Sequence, residues 1–452
     1  MSARMALLGR WAVLRLSFVV LCFGNRVPLR SKKSVNLRNV MRTKVSGRFH
    51  PEFFMDRFKE RANFKMKCEE EGPKTTFTRT RGRAGIFTFT PGDGESSTVI
   101  VSPDKRIPTL DHRHLLRRFE EEGIKTIHLS KLWGALIKNP SLNFADVPNL
   151  PKKAVMLLSN EFSPCTSKLV QSETSQDGLT TKLVIELQDK QLIESVIIQH
   201  ENYAALCVSS QVGCRMGCKF CATGTMGLIR NLTAGEILEQ VLIANTVKPI
   251  RNIVFMGMGE PLDNYDAVVD AIHGIHDTRM FNLGLSHITI STVGVVGSMY
   301  RLADEIPNVA LAVSLHAPNQ DLRLQIVPTS KFNSMDRILE AMDYYLDRSP
   351  HHSFIQYTVI KNINDKIEHA LSLAQKLKNR RVKVNLIPYN PTGKEAFETP
   401  DSGTMESMKQ TLLDEGLLCF IRDSTESGRD VSGACGQLAL STVEGRNSKI
   451  RR

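Results

Sequence analysis

The chain has 452 residues, of which 41% are hydrophobic and 23% charged, an ordinary balance for a globular protein with one large domain and accessories. No stretch reaches the roughly 20 uninterrupted apolar residues that a membrane span needs, so a membrane partner is not expected. The net charge of +12 suggests nucleic acid until it is located: Met1–His50 holds eleven Lys and Arg and no Asp or Glu, leaving +1 for the other 402 residues.

In chain order, residues 1–50 read as a basic leader. It is acid-free, Arg-rich and interspersed with apolar residues, which suits a transit peptide for a mitochondrion or plastid. A secretory signal is the rival, because "WAVLRLSFVVLCFG" holds a short apolar core, but Arg15 interrupts it and reduced cysteines downstream argue against export. A basic tail on a cytoplasmic protein is the remaining alternative. Residues 51–107, with "RTRGR" and "PGDGESS", read as a disordered linker. Over 108–164, "TLDHRHLLRRFEEEG", "LSKLWGALIKN" and "LPKKAVMLLSNEF" carry apolar residues at helical spacing and predict a small helical domain. Residues 165–203 predict a β-hairpin connector, since "TKLVIEL" and "LIESVIIQ" flank the turn "QDKQ".

From 204 to 425 the pattern becomes β/α. Strands are expected at about 204–210, 252–257, 287–292, 309–315, 353–360 and 382–388, with helical patterns between most of them. The fold class is therefore α/β, a parallel sheet curled into a full or partial barrel. The unusual sequence falls after the strands: "CRMGCKFC" after the first, "GMGEP" the second, "STVG" the third, "SLHAP" the fourth and "IPYNP" the sixth. Barrel enzymes build their sites from such loops. Residues 426–452 form a C-terminal segment with a basic tail.

Three of the 9 cysteines lie within eight residues, at Cys214, Cys218 and Cys221. Disulfide pairing is a poor explanation for an odd number at short spacing. Structural zinc takes four ligands as two separated pairs, and no partner pair is evident. An iron–sulfur cluster held by three thiolates fits better, because it leaves one iron with an open position. Read alone, Gly257–Pro261 is a tight turn, His316 a satisfied core histidine, Cys207 a buried strand cysteine and Glu194 an exposed strand carboxylate.

Cys214, Cys218 and Cys221 with Phe220 resemble the radical S-adenosylmethionine (SAM) signature. The surrounding "LCVSSQVGCRMGCKFCATGTMG…RNLTAGEI" resembles the RlmN/Cfr family of RNA adenosine methyltransferases. The likeness continues through "FMGMGEPLDNYDAV", "ISTVGVV", "LAVSLHAP", "VNLIPYNPTG" and "SGACGQLA", from about Asp111 to Leu440. "TGTMG" and "NPSLNFADVPNLP" look like the eukaryotic branch.

The resemblance implies a [4Fe–4S] cluster on Cys214, Cys218 and Cys221, with SAM chelated at the open iron and cleaved to a 5′-deoxyadenosyl radical. It implies further SAM contacts from Gly259, Glu260, Ser291, Ser314, Leu315, His316 and Asn390. Cys435 would accept a methyl group from a first SAM, and the radical from a second would activate it, two SAM per turnover. Cys207 would resolve the protein–RNA adduct by a transient disulfide with Cys435, and Glu194 would accept the ring proton. The implied product is adenosine methylated at C2 in rRNA, tRNA or both, with C8 methylation or a non-methylating RNA-binding cluster protein as alternatives. The family also implies a monomer, reduced by a flavodoxin- or ferredoxin-type donor, whose helical domain helps dock RNA. An unstacked base, as in a loop or anticodon arm, suits a barrel mouth.

"TMGLIRNL" after the cluster and a longer stretch before Cys435, "RDSTESGRDVSGAC", depart from the bacterial pattern. Neither removes a catalytic position. Basic patches at His112–Arg118, at "KNRRVKV" and in the tail are candidate RNA contacts.

Overall fold

The computed structural model describes residues 74–79, 85–90, 97–101, 105–392, 396–422 and 428–438. The chain divides into two compact units, 1–103 and 104–452. The basic leader and the C-terminal tail lie outside the described residues.

In the first unit, strands β1 (Lys74–Arg79), β2 (Gly85–Thr90) and β3 (Ser97–Val101) form an antiparallel sheet in that order. Residues 51–107 are therefore not linker throughout. The runs "KTTFTR", "GIFTFT" and "STVIV" are rich in β-branched and aromatic residues, which suit strands, and the charged and Gly-rich sequence between them obscures that pattern.

The second unit opens with β4 (Ile107–Pro108), which pairs in parallel with β5 (Phe162–Ser163). Between them lie helices α1 (His112–Glu121), α2 (His128–Lys138) and α3 (Lys152–Glu161). Asp111 caps α1 by accepting from the His114 amide, one of the donors a helix start leaves open. Leu115, Phe119, Leu132, Trp133 and Leu158 bury one face of each helix. The Trp133 indole N–H finds the Thr109 carbonyl at 3.2 Å, so this large ring is buried without an orphaned donor.

Ten strands make the central sheet. Three antiparallel strands, β6 (Lys168–Thr174), β7 (Thr180–Glu186) and β8 (Leu192–Gln199), lead into β9 (Ala204–Cys207). From β9 the sheet is parallel through β12 (Ile250–Phe255), β13 (Ile288–Thr292), β14 (Ala310–Ser314), β15 (Ser353–Val359), β16 (Val382–Pro388) and β17 (Leu418–Ile421). A short ribbon, β10 (Gln211–Cys214) with β11 (Gly227–Asn231), stands apart. The two ends of the large sheet, β17 and β6, do not pair with each other, so the curl is a partial barrel.

Helices fill the crossovers, as parallel strands require. They are α4 (Ala234–Val247), α5 (Tyr265–His276), α6 (Val296–Glu305), α7 (Gln320–Ile326), α8 (Met335–Arg348), α9 (Ile367–Leu377) and α10 (Ser402–Asp414). A reciprocal box of Thr233 and Glu236 starts α4. Farther along, the buried Glu239 carboxylate accepts from the amide and hydroxyl of both Thr166 and Ser167. That carboxylate ties the exit of the helical region to α4.

Two strands of the central sheet go beyond the sequence pattern. β6 is an edge strand largely exposed on both faces, so its residues have no reason to alternate in polarity. β17 is four residues long and half exposed, too short for a period to register.

Candidate active site

The loops after the parallel strands meet at one edge of the sheet, and the cysteine loop is the most constrained of them. Chain leaving β9 turns into the β10–β11 ribbon, where the register slips between Val212 and Gly213. Gly213 has φ +76°, and a Cβ there would stand 1.9 Å from the Gly227 carbonyl oxygen. Only glycine lets the two strands cross so closely. Cys214 ends β10. The loop then closes on itself, with the Cys221 amide on the Cys218 carbonyl at 3.1 Å and the Lys219 amide on Ile326 at 3.0 Å.

Cys214, Cys218 and Cys221 are free thiols, the first two buried. Burial pushes the Cys214 thiol up to about 12 and raises Cys218 and Cys221, with the neighbouring thiols adding to the rise at Cys214 and Cys218. Three thiolates in such a place need a cationic partner. Among the described residues no three His, Cys, Asp or Glu side chains converge to hold a single metal ion. A four-iron cluster instead takes each thiolate on a different iron, so its ligands stand wider apart. The donor set fits such a cluster in residue type, count and burial.

The positions expected to hold SAM lie around this loop. Gly259 has φ +101°, and a Cβ there would stand 2.6 Å from the Gln211 side chain. Gln211 in turn accepts the Glu260 amide at 2.9 Å and donates to Asp263. The Glu260 carboxylate accepts from the amides of Leu262 and Val293 at 3.0 and 2.9 Å. It therefore clamps the loop after β12 to the loop after β13, and burial pushes its pKa up to about 7. Ser291 and Ser314, at the ends of β13 and β14, face each other at 3.3 Å between hydroxyl oxygens.

Leu315 and His316 both place their amides on the Gln356 carbonyl. His316 adopts φ +57°, a conformation uncommon for residues other than glycine. Its Nδ1 accepts the Thr358 amide at 3.0 Å, which puts the ring proton on Nε2. Burial lowers its pKa to about 3, so the ring is neutral. It meets Phe220 edge to face with centroids 4.6 Å apart, joining the cysteine loop to β14. The fully buried Arg323 donates to the carbonyls of Leu315, Val293 and Ser314 at 3.0, 2.6 and 3.2 Å.

The C-terminal segment carrying Cys435 docks on both groups. Gly436 offers its carbonyl to the Ala222 amide at 2.7 Å, and Leu438 accepts the Thr223 hydroxyl at 2.5 Å. Asn390 donates to the Cys435 carbonyl at 3.1 Å while accepting from Arg429 at 2.7 Å. Cys435 and Cys207 line the same cavity of about 150 Å³, together with Val196, His200, Met256 and Arg422. Burial pushes the Cys207 thiol up to about 12, Cys435 adds to the rise, and Arg422 opposes it.

Glu194 sits on β8 with its side chain buried, not exposed, and pairs with the equally buried Lys182 at 3.7 Å. A larger groove of about 520 Å³, lined by Lys219, Asn319 and Phe397 among others, lies beside the cysteine loop and includes none of the expected site residues. Gln211, Lys182, Arg323, Arg422 and Arg429 were not singled out by sequence. The one available signal was a lysine inside an otherwise strand-like run, "TTKLVIE".

A parallel partial barrel with a three-cysteine loop at its strand ends defines the class of the molecule. The family model "Radical SAM superfamily" matches residues 208–374. Curated relatives from Carboxydothermus hydrogenoformans and Thermotoga maritima, both named "Probable dual-specificity RNA methyltransferase RlmN", are 38% and 39% identical, covering 74% and 76% of this chain and 98% and 100% of their own. A crystal structure of a radical SAM methyltransferase from Sphaerobacter thermophilus is similar at a TM-score of 0.69 and 35% identity, over 73% of this chain and 97% of that one. The chain belongs to the RlmN family of radical SAM RNA methyltransferases.

Proposed function

We propose that this enzyme methylates C2 of adenosine in rRNA, tRNA or both, through an S-methyl group carried on Cys435. The observation that carries the reading is the meeting of Cys207 and Cys435 in one cavity beside the cysteine loop, on the sheet face that also bears Glu194. Adenine C2 is electron-poor and has no lone pair with which to attack SAM, so a polar transfer fails there. When bound, a [4Fe–4S] cluster on Cys214, Cys218 and Cys221 with SAM supplies a radical able to take hydrogen from the methyl group on Cys435.

The rest falls to this chain. Cys435 presents the methyl carbon to C2, Glu194 takes the C2 proton, and the unpaired electron of the adduct returns to the electron-donor protein. The Cys207 thiolate then joins the Cys435 sulfur as the carbon–sulfur bond breaks; the bonding pair leaves with the carbon, which takes a proton from solvent, so the methylated base departs and a disulfide remains. That bond must be reduced before the next cycle, so free thiols at both positions suit the resting state. Gly259, Ser291, Ser314, Leu315, His316 and Asn390 surround the space for SAM, and Glu260 shapes it through its backbone and clamp. Two SAM are consumed per turnover, one as methyl donor and one as radical source, with a flavodoxin- or ferredoxin-type donor supplying the electron. The basic leader directs the enzyme to an organelle in this reading.

The test is anaerobic reconstitution with iron and sulfide, incubation with methyl-labelled SAM and total RNA, and mass spectrometry of the nucleosides. Labelled 2-methyladenosine is expected, and the RNA fraction carrying it names the substrate. Labelled 8-methyladenosine would replace C2 by C8. No labelled nucleoside, despite reductive SAM cleavage, would overturn methylation of the supplied RNA.

A further inference from the structure

Directly opposed residues on antiparallel strands share a face of the sheet. Glu173 of β6 opposes Lys182 of β7, Lys182 opposes Val196 of β8, and Val196 opposes Cys207 of β9. Glu194, two residues before Val196, lies on that same face. One row thus runs from a carboxylate at the sheet edge, through a buried lysine, to the cavity of the two reactive cysteines. Lys182 is 1% exposed, and its ammonium lies 3.7 Å from the equally buried Glu194 and 3.9 Å from the part-exposed Glu173.

We propose that Lys182 is a positioning residue that keeps Glu194 in its carboxylate form, ready to take the adenine ring proton. The inference rests on the reading of Glu194 as proton acceptor. Burial by itself favours the neutral acid, which accepts no proton, and a cation at this range favours the carboxylate. Among the described residues, the charged or titratable groups facing this region include Lys182, Glu173, Cys207, His200, Arg422 and Cys435. Among these described groups, Arg422 acts on Cys207 and His200, and Lys182 pairs with Glu194.

Glu173 completes the device. Once Glu194 has taken the proton from carbon, its charge is gone and the ammonium would stand in the interior without a counter-ion. Glu173 remains to pair it. The proton moves from C2 to the Glu194 carboxylate, its bonding electrons stay on the ring, and no oxidant or reductant enters this step.

The experiment uses the full-length enzyme with its cluster reconstituted and Cys435 already methylated, and RNA deuterated at adenine C2. Single-turnover rates of methyladenosine formation are followed against pH, with cluster content measured in the same samples. Lys182→Met is expected to be about tenfold slower at pH 7 and to recover as pH rises, the effect of about one unit on the base, with Lys182→Arg restoring the original profile. Glu173→Gln, at the surface, is expected to shift the acidic limb the other way, about twofold faster there. Unshifted profiles in Lys182→Met and Glu173→Gln would overturn the role of Lys182. If Lys182→Met does not fold, the direction of the Glu173→Gln shift decides. Glu194→Gln separates the two readings: wild-type turnover there removes Glu194 as acceptor, whereas a block there with an unshifted Lys182→Met profile removes Lys182 alone.

Discussion

In the proposed reaction single side chains, Cys435 and Cys207, would each carry one step. Cys435→Ala is expected to abolish RNA methylation while leaving iron content and reductive SAM cleavage in place, because its sulfur is no ligand in the three-thiolate set. Cys207→Ala is expected to accumulate a covalent protein–RNA species, visible as a shifted band on a denaturing gel, since nothing else would displace the Cys435 sulfur. His316 makes a separate expectation about pH. Its folded pKa is lowered from 6.5 to about 3, so its contribution to stability is present above pH 6.5 and is lost as pH falls toward 3. His316→Asn keeps a residue that tolerates positive φ but removes the titrating ring. Denaturant unfolding between pH 6.5 and 4 is expected to show a slope smaller by about one proton in that variant.

At the scale of elements, the cysteine loop depends on the β10–β11 crossing. Gly213→Ala places a methyl group against the Gly227 carbonyl and costs about 1–2 kcal/mol for the left-handed backbone alone. The ribbon must open to admit it. Iron content and cluster absorbance are expected to fall well below wild type, while circular dichroism of the helices stays the same. The cysteine spacing was legible in sequence because a ligand motif is local and contiguous. The clamp that steadies it was not: Gln211 reaches Glu260 and Asp263, about fifty residues away, and only folding brings them into range. β6 escaped notice for a related reason, since an edge strand open on both faces has no alternation to read.

For the whole molecule, the division into units at residue 103 carries its own expectation. A chain of residues 104–452 holds the complete central sheet and the expected site residues, so it should fold and take up the cluster. Cooperative thermal unfolding and an iron content matching the full chain would check this; an aggregated or iron-free product would contradict it. The helical region belongs to the same unit, and Glu239 on α4 is one of its ties, binding Thr166 and Ser167. Removing that carboxylate in Glu239→Ala leaves a buried and a part-buried amide without their acceptor and is expected to cost about 2–4 kcal/mol in denaturant unfolding.

The sequence by itself determined the β/α order, the distinctive loops at the strand ends and the three-cysteine motif, because each is written within a few adjacent residues or in a period the chain displays openly. Only the tertiary structure decided that Cys207 and Cys435, more than two hundred residues apart, share one cavity, and that Glu194 is buried against Lys182. Strand register and the return of the C-terminal segment set those meetings. Both arise from long-range backbone pairing, for which single residues carry no local mark.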